Sequence, residues 1–183
     1  KLNTSFIDLE NASVKLSKSR STIIPNFENK IKNMLKTLGM PHAIFKVCLE
    51  KTSNFNITGS DNIVFKFSSN PGVNEQEISK VASGGEISRL VLALKNIIST
   101  KVGIKTLIFD EIDTGVSGKI ASFMGDMMRS ISKTTQLISI THLPQIASKS
   151  NKHIKVYKEV LNGSTRTRIK ILNKEERIIE IAR

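Results

Sequence analysis

The chain has 183 residues, of which 39% are hydrophobic and 24% charged, and this composition is typical of one folded domain with a buried core. No apolar run approaches the roughly 20 residues needed to cross a bilayer. Cys48 is the only cysteine, which excludes an internal disulfide and a cysteine-rich zinc site and fits a reducing, cytoplasmic setting. The chain begins at Lys1 without a methionine, so we expect it to be a fragment.

The formal net charge of +12 favours a phosphate-binding surface. Two observations favour compositional drift instead: Ile, Lys and Asn supply 60 of the 183 residues, and aromatic residues for stacking on bases make up only 5%. Both interpretations stay open. The densest positive segment sets six cations against the single acid Glu159. These cations are Lys152, Lys155, Lys158, Arg166, Arg168 and Lys170.

The first predicted elements are helical, because apolar residues recur at helical spacing over residues 2–20 and 27–38. Pro25 lies between the two segments and predicts either a kink or the start of a second helix. Gly39 predicts the end of the helix. We interpret residues 1–38 as a helical arm that is exposed along most of its surface.

Two strands are predicted next, over residues 44–49 and 63–68, as a hairpin or as neighbours in a sheet. Beyond residue 83 helices alternate with continuously apolar strands, which predicts a parallel sheet covered on both faces. A last hairpin is predicted over residues 152–172, with its turn at Asn162 and Gly163. The elements between are a helix over 85–100, a strand over 106–109, a helix over 117–132, a strand over 136–140 and a short helix.

The first candidate site is Ser83-Gly84-Gly85-Glu86. Ser-x-x-Glu before an apolar period is a capping box, which explains the serine and the glutamate by helix stability alone. Two glycines in a first helical turn weaken a helix, however, and they suit a backbone that another molecule approaches. Free amides at a helix N-terminus bind anions, so the alternative interpretation is a phosphate site.

The second and third candidates follow two neighbouring predicted strands. Asp110 and Glu111 end the apolar strand over 106–109, and His142 follows the strand over 136–140. Acidic strand ends and single histidines are commonly structural. At the carboxyl edge of a parallel sheet, however, one carboxylate suits Mg²⁺, a second suits an attacking water, and a histidine suits a phosphate.

The order and spacing of these patterns resemble the C-terminal lobe of an ABC-type ATPase head of SMC-like proteins, and more specifically the bacterial DNA repair ATPases of the RecN family. We therefore expect an α/β fold, the C-terminal lobe of a P-loop NTPase with a mostly parallel sheet, over residues 39–183, and a helical coiled-coil base over 1–38. The stretches that carry the resemblance are 80–89, 107–118 (LIFDEIDTGVSG) and 140–147, together with 38–41 and 69–72.

The resemblance also implies roles for single residues and a set of partners. The implied cofactors are ATP and Mg²⁺, and the implied partners are DNA, an N-terminal lobe and a second copy of the head, without a membrane and in the nucleoid-associated cytoplasm. The implied assignments are Ser83, Gly84, Gly85 and Glu86 as the signature motif that contacts the γ-phosphate on an opposing head, Asp110 as the magnesium ligand, Glu111 as the catalytic carboxylate, Asp113 in the D-loop at the interface between heads, and His142 as the switch histidine.

The glycine-rich phosphate loop G-x-x-x-x-G-K-[ST] is absent from the 183 residues. We therefore expect that loop on a separate lobe, and we expect this chain to be an ATPase in double-strand break repair and recombination only when joined to it. The alternatives are a head of another SMC-family chromosome-structure ATPase, a membrane-transporter ATP-binding subunit, and a catalytically silent DNA-binding module. The stretch 113–118 favours RecN, and the paired acids disfavour a silent module.

Overall fold

The structure is a computed structural model that describes residues 2–72, 74–81, 83–116, 118–161 and 163–182. These residues form two compact units, one that ends at Leu94 and one that begins at Lys95. In the described ranges no helix is both long and apolar enough to span a membrane. The elements are α1 (Leu2–Thr37), β1 (Ile44–Asn56), β2 (Gly59–Ser68), β3 (Gln76–Glu77), a 3₁₀ helix (Ile78–Lys80), α2 (Gly84–Val102), β4 (Thr106–Asp110), α3 (Gly118–Ile131), β5 (Gln136–Ile140), α4 (Pro144–Ala147), β6 (Ile154–Leu161), β7 (Ser164–Ile171) and α5 (Lys174–Ile181).

The arm is one helix, because α1 continues through Pro25 and no second helix begins there. Contacts to β1 hold the helix just beyond the proline: the Phe27 and Phe45 rings meet edge to face, and the Glu28 carboxylate accepts the Val47 amide at 2.7 Å. These contacts offset the backbone hydrogen bond that a proline removes from a helix interior. The predicted end is confirmed, since Gly39 follows α1 with φ +79°.

The predicted hairpin of the first unit is confirmed, and its strands β1 and β2 are longer than the alternating apolar segments indicated. The hairpin lies along α1 and joins it through aromatic and polar contacts. Phe6 meets Phe55 edge to face near the turn, and the Ser13 and Ser60 hydroxyls are 2.6 Å apart. The hairpin therefore braces the helix over much of its length.

The buried side chains of the first unit come from α1 and the turn that follows it, from the strands β1 and β2, and from the first half of α2. The Arg89 guanidinium on α2 donates to the carbonyl of Leu38 at 3.0 Å and to that of Gly85 at 3.0 Å. Partial burial lowers the pKa of Arg89. The fully buried apolar residues are Ile31, Leu35, Leu38, Phe67, Leu90, Leu92 and Ala93.

The second unit contains the parallel pair β4–β5, in register from Thr106↔Gln136 to Asp110↔Ile140. This pairing confirms the α/β prediction for these two strands, but the expectation of a mostly parallel sheet is wrong. The other strands pair antiparallel, because β1–β2 and β6–β7 are joined by tight turns rather than by a crossover helix.

The expected covering of both faces of the parallel sheet is also wrong for the described chain. Leu107 and Phe109 are buried, whereas Ile108 is 65% exposed and Ile138 45% exposed. Alternate residues of a strand point to opposite faces, so the pair buries one apolar face and leaves a second one open.

Helices α3 and α4 pack closely in the second unit. A Cβ placed on Gly125 would lie 3.2 Å from the carbonyl oxygen of Gln145 and 3.3 Å from the Cα of Ile146, which explains the glycine. The predicted helix over 117–132 is confirmed as α3, with Ser117 outside the described residues. The contact at Gly125 holds α4, which begins two residues after His142.

The predicted terminal hairpin is confirmed as β6–β7, with Gly163 at φ +76° and Asn162 outside the described residues. Helix α5 follows it and begins with a capping box between Asn173 and Glu176. The Arg177 guanidinium then donates to carbonyl oxygens at the end of α4, including that of Ser148 at 2.8 Å.

Hydrogen bonds between α1 and Asp61 of β2 should make the stability of the chain depend on pH. The Ser17 hydroxyl donates to Asp61 at 2.7 Å and the Arg20 guanidinium donates to it at 2.8 Å, and these hydrogen bonds lower the pKa of Asp61. A carboxyl whose pKa is lowered by folding contributes stability above its unfolded pKa of about 3.9, and loses that contribution as pH falls through its folded pKa.

We therefore expect Asp61→Asn to lower the free energy of unfolding at pH 7, and the difference from the unmodified chain to shrink below about pH 4. Urea denaturation at several pH values measures this. The control Asp8→Asn removes an exposed carboxylate from the helix that Asp61 braces and should leave stability unchanged. A difference that is the same at pH 7 and pH 2 would show that the charge of Asp61 is not its source.

Candidate functional site

The two acids after the apolar strand occupy different backbone environments. Asp110 is the last residue of β4 and is exposed, on the open face that also carries Ile108. Glu111 lies beyond the strand and has φ +47°, the left-handed region, although its amide still donates to the carbonyl of Ile140 at 3.1 Å. The expectation that both acids end one strand is therefore wrong for Glu111, because the backbone turns there.

The turn after Glu111 is closed by hydrogen bonds to the backbone of the same loop. Thr114 donates to the Glu111 carbonyl twice, from its amide at 3.2 Å and from its hydroxyl at 2.8 Å. The amide of Val116 donates to the carbonyl of Asp113 at 3.1 Å. A left-handed conformation costs a residue with a side chain roughly 1–2 kcal/mol, and these bonds hold Glu111 in it.

Asp113 is fully buried, and its carboxylate meets the segment that follows β5. Oδ2 accepts a hydrogen bond from the Thr141 hydroxyl and lies 3.8 Å from Nδ1 of His142. The His142 side chain itself is 67% exposed. The structure therefore brings Glu111, Asp113 and His142 together at the carboxyl ends of β4 and β5.

Thr141 is not among the residues that the sequence predicts to have a role in the site. Its hydroxyl donates to Asp113 and accepts the Leu143 amide at 3.0 Å, so it holds the chain on both sides of His142. The only sequence signal is a hydroxyl residue next to the histidine. Its partner, Asp113, is 28 positions away along the chain.

The glycine-rich segment over residues 83–86 belongs to the first unit, whereas Asp110, Glu111, Asp113 and His142 belong to the second. Ser83 precedes α2, and its carbonyl accepts the Ile87 amide at 3.1 Å. A Cβ on Gly84 would meet nothing within 4 Å, so packing inside the described chain does not require the glycine. The backbone at Gly84 is open to another molecule.

Arg89 is the second residue that sequence reasoning did not single out for a role. It ties the first turns of α2 to the end of α1, through the Leu38 carbonyl that a helix C-terminus leaves without an intrahelical partner. The orientation of the turn that bears Gly84 and Gly85 therefore depends on the end of the arm.

The terminal hairpin carries less free positive charge than its sequence indicated. Two acids outside the basic segment neutralise part of it, because Lys155 pairs with Glu180 and Lys170 with Glu176, both on α5. The hydrogen bond from Lys170 lowers the pKa of Glu176. Among the described residues, Lys152, Lys158 and Arg166 show no ion pair.

The acids near Asp110 do not form a metal site by themselves. Within the described ranges, no three histidine, cysteine or acidic residues cluster closely enough to hold a metal ion on their own. Mg²⁺ differs from zinc in its needs, because it keeps several waters and is held by one or two carboxylates together with substrate phosphates. The exposed carboxylate of Asp110 fits that kind of site.

No family model matches the chain. Among curated proteins, it is 43% identical over 168 residues to the DNA repair protein RecN of Rickettsia prowazekii, covering 92% of this chain and 30% of the relative. It is 39% identical over 186 residues to RecN of Halalkalibacterium halodurans, covering 100% of this chain and 33% of the relative. The chain thus spans about a third of the length of these relatives.

Among solved structures, an Smc head domain with a coiled coil and joint from Pyrococcus yayanosii superposes with a TM-score of 0.65 at 20% identity, over 85% of this chain and 28% of that one. A second structure comes from a study of ATP-driven dimerization and DNA-stimulated activation of SMC ATPases. It superposes with a TM-score of 0.58 at 20% identity, over 85% of this chain and 89% of that one. Over nearly its whole length the chain is homologous to part of the DNA repair protein RecN, and its mixed α/β fold with a long N-terminal helix is that of SMC heads.

Proposed function

We propose that this chain is the C-terminal half of the head of an SMC-like ATPase of the RecN type, which acts in DNA double-strand break repair and recombination. The observation that carries the proposal is the parallel pairing of β4 with β5, which sets Asp110, Glu111 and His142 at one edge of the pair. The RecN relatives support the repair role, and the SMC structure studied for ATP-driven dimerization supports the reaction.

In this proposal Asp110 holds Mg²⁺, directly or through water, at the end of β4. Magnesium bound there would neutralise charge on the phosphates of ATP. The position of Asp110 supports this role, since it is exposed on the open face and its neighbour Glu111 is turned away from the strand.

Glu111 would orient and deprotonate the attacking water, and His142 would donate a hydrogen bond to the γ-phosphate. A general base acts only when it is held within reach of the proton it takes, so the backbone of Glu111 must be fixed. The hydrogen bonds from Thr114 and to Ile140 supply this fixation. The exposed ring of His142 is free to meet a ligand on the same edge.

Ser83, Gly84, Gly85 and Glu86 would form the signature motif, which meets the γ-phosphate bound on an opposing head. The open space beside Gly84 supports this role, because a phosphate can approach the bare backbone there. Asp113 would belong to the D-loop at the interface between the two heads.

The partners in this proposal are an N-terminal lobe, a second copy of the head, and DNA, in the cytoplasm and near the nucleoid. Residues 1–38 would be the base of a coiled coil and residues 39–183 the lobe. The exposed apolar residues Ile108, Ile138 and Ile140 support a missing lobe, since such a surface is ordinarily covered. With the phosphate loop on that lobe, the chain alone would not hydrolyse ATP.

Three other functions compete with this proposal. A head of another SMC-family chromosome-structure ATPase would share the fold, but the RecN relatives disfavour it. A membrane-transporter subunit or a silent DNA-binding module would not explain both the arm α1 and the paired acids Asp110 and Glu111. ATP turnover with and without DNA in the reconstituted head distinguishes these functions.

Loss of charge at Glu111 and at Asp110 should have different effects on ATP binding and turnover. The head is first completed with the phosphate-loop lobe of a RecN relative. Glu111→Gln should leave ATP binding intact and lower the turnover rate about 10²–10⁴-fold, so that a nucleotide-bound dimer accumulates. Asp110→Asn should weaken ATP binding as well, because it removes a magnesium ligand. Equilibrium binding and single-turnover hydrolysis, measured separately, give the two quantities.

The control for both variants is Glu175→Gln, which removes an exposed carboxylate on α5 and should change neither quantity. If Glu111→Gln hydrolyses ATP at the unmodified rate, the assignment of Glu111 as the base is wrong and the strand end is an ordinary acidic surface.

Ser83→Arg should leave the fold intact and block ATP-dependent pairing of heads, because the long side chain would fill the position of the γ-phosphate. If Ser83 serves only as a helix cap, the substitution should instead cost stability on the order of 1 kcal/mol and leave pairing unchanged. Thr100→Arg adds the same charge near the other end of α2 and is the matched control. Sedimentation with and without ATP measures the pairing.

DNA binding through the terminal hairpin should depend on the cations that have no acidic partner. We expect Lys158→Glu with Arg166→Glu to weaken DNA binding by the assembled head and to reduce the slope of log affinity against log salt by roughly 1 for each phosphate that the variant no longer neutralises. Lys155→Glu with Lys170→Glu should have a smaller effect, because α5 already pairs both lysines. Unchanged affinity and salt slope in the Lys158→Glu, Arg166→Glu variant would remove the hairpin as the DNA-binding surface. Equal effects of the two pairs would show that the ion pairs with α5 do not reduce the contribution of Lys155 and Lys170.

A further inference from the structure

We propose that Thr141 is a positioning residue for the catalytic edge, and that Asp113 acts inside its own head by accepting the Thr141 hydroxyl. Their hydrogen bond, called here the Asp113–Thr141 contact, sets the backbone of Glu111 on one side and of His142 on the other. The inference rests on the proposed ATPase function and deepens it. It reassigns the side chain of Asp113 from an interface between heads to a link between the loops after β4 and β5.

The burial of Asp113 is the first reason. Its side chain has 0% exposure, one oxygen accepts from Thr141, and the other oxygen, Oδ1, has no hydrogen-bond partner in the described part of the chain. A buried carboxylate left partly without partners lowers stability. A side chain in this position cannot touch an opposing head, so its effect must pass through Thr141 and the neighbouring loop.

The geometry around His142 is the second reason. The Thr141 hydroxyl uses both its donor and its acceptor capacity, on Asp113 and on the amide of Leu143, which precedes α4. These bonds hold the residues before and after His142. Nδ1 of His142 lies 3.8 Å from Asp113 Oδ2, which is beyond hydrogen-bond distance, so the carboxylate is connected to the ring through the backbone that Thr141 holds.

The loop after β4 is the third reason. Asp113 lies in the turn that keeps Glu111 at φ +47°, and its own carbonyl accepts the Val116 amide. Anchoring the Asp113 side chain to Thr141 therefore anchors this turn to the end of β5. Thr114 and Gly115, which follow Asp113 in this loop, are exposed, so these two, rather than the Asp113 side chain, are available to a facing molecule.

The chain offers a closely matched set of variants. Thr141→Val removes the hydroxyl and keeps the shape, and Thr141→Ser restores the hydroxyl. Thr135→Val is the control, because Thr135 directly precedes β5, is buried, and has a hydroxyl without a partner in the described chain. Removal of that hydroxyl should leave the site and the stability of the chain unchanged or slightly improved.

The first measurement is made on the chain without nucleotide. The ring resonances of His142 in a proton–carbon NMR spectrum should shift in Thr141→Val, return in Thr141→Ser, and stay in place in Thr135→Val. His42 and His153 are the only other histidines and serve as internal references. An unchanged His142 resonance in a folded Thr141→Val, or an equal shift in Thr141→Ser, overturns the proposal.

The second measurement uses the head completed with a phosphate-loop lobe. Thr141→Val should lower kcat about ten- to a hundredfold with KM within twofold, because misplaced catalytic groups slow the reaction more than they weaken binding. Adding Thr141→Val to Asp113→Ala should lower kcat only slightly further, since both substitutions remove the same hydrogen bond. Additive losses would overturn the proposal. An unmodified head that never hydrolyses ATP would instead overturn the proposed function, while the NMR measurement still decides on the Asp113–Thr141 contact.

Discussion

The parallel pairing of β4 with β5 is the constraint on which the catalytic edge depends, because Asp110 ends β4 and the other acids and His142 lie in the segments that follow the two strands. The register Asp110↔Ile140 ends both strands together, and the Glu111 amide adds one more hydrogen bond to Ile140. A slip of one residue would exchange the faces of the strand and bury Asp110 in place of Phe109. The exposed acid at the edge is therefore a consequence of strand register.

Beyond the strand ends, ordinary loop chemistry determines how the catalytic groups are presented. Glu111 departs from the strand through a left-handed backbone conformation, and Thr114 closes the turn behind it. The Asp113–Thr141 contact joins this turn to the segment that bears His142. Gly125 permits the close approach of α4 to α3 and so fixes the far end of that segment.

In the first unit the arm and the glycine-rich segment are connected by side chains. Asp61 and the aromatic contacts brace α1 along the hairpin, and Arg89 donates to the carbonyl of Leu38 just beyond the end of the helix. In the proposed function these contacts give a physical route from the arm to the signature motif, because a displacement at the end of α1 would reach the first turn of α2.

Local rules account for what the sequence predicted well. Gly39 after an apolar helix, the turn containing Gly163 and the apolar strand over 136–140 each depend on neighbouring residues, and the structure has all three elements. The continuation of α1 through Pro25 depends instead on packing against β1, which no helical rule includes.

Long-range partners account for what the sequence did not predict. Glu176 and Glu180 lie outside the basic segment and neutralise part of it, and Thr141 meets an acid 28 residues away. The sequence predicts more parallel strands than the single pair β4–β5, because the apolar residues on both faces of β4 indicate a helix on each face. An apolar residue on the open face, such as Ile108, can be covered either by a helix of the same chain or by another lobe, and the sequence does not distinguish the two.

In the proposed function this chain supplies one half of a composite ATPase. The most direct test is ATP turnover during a titration of the chain with a purified phosphate-loop lobe of a RecN relative. We expect no turnover from either component alone and a rate that rises to a plateau at equal amounts of the two. Turnover by the chain alone, or an inactive complex of the two bound components, would contradict it.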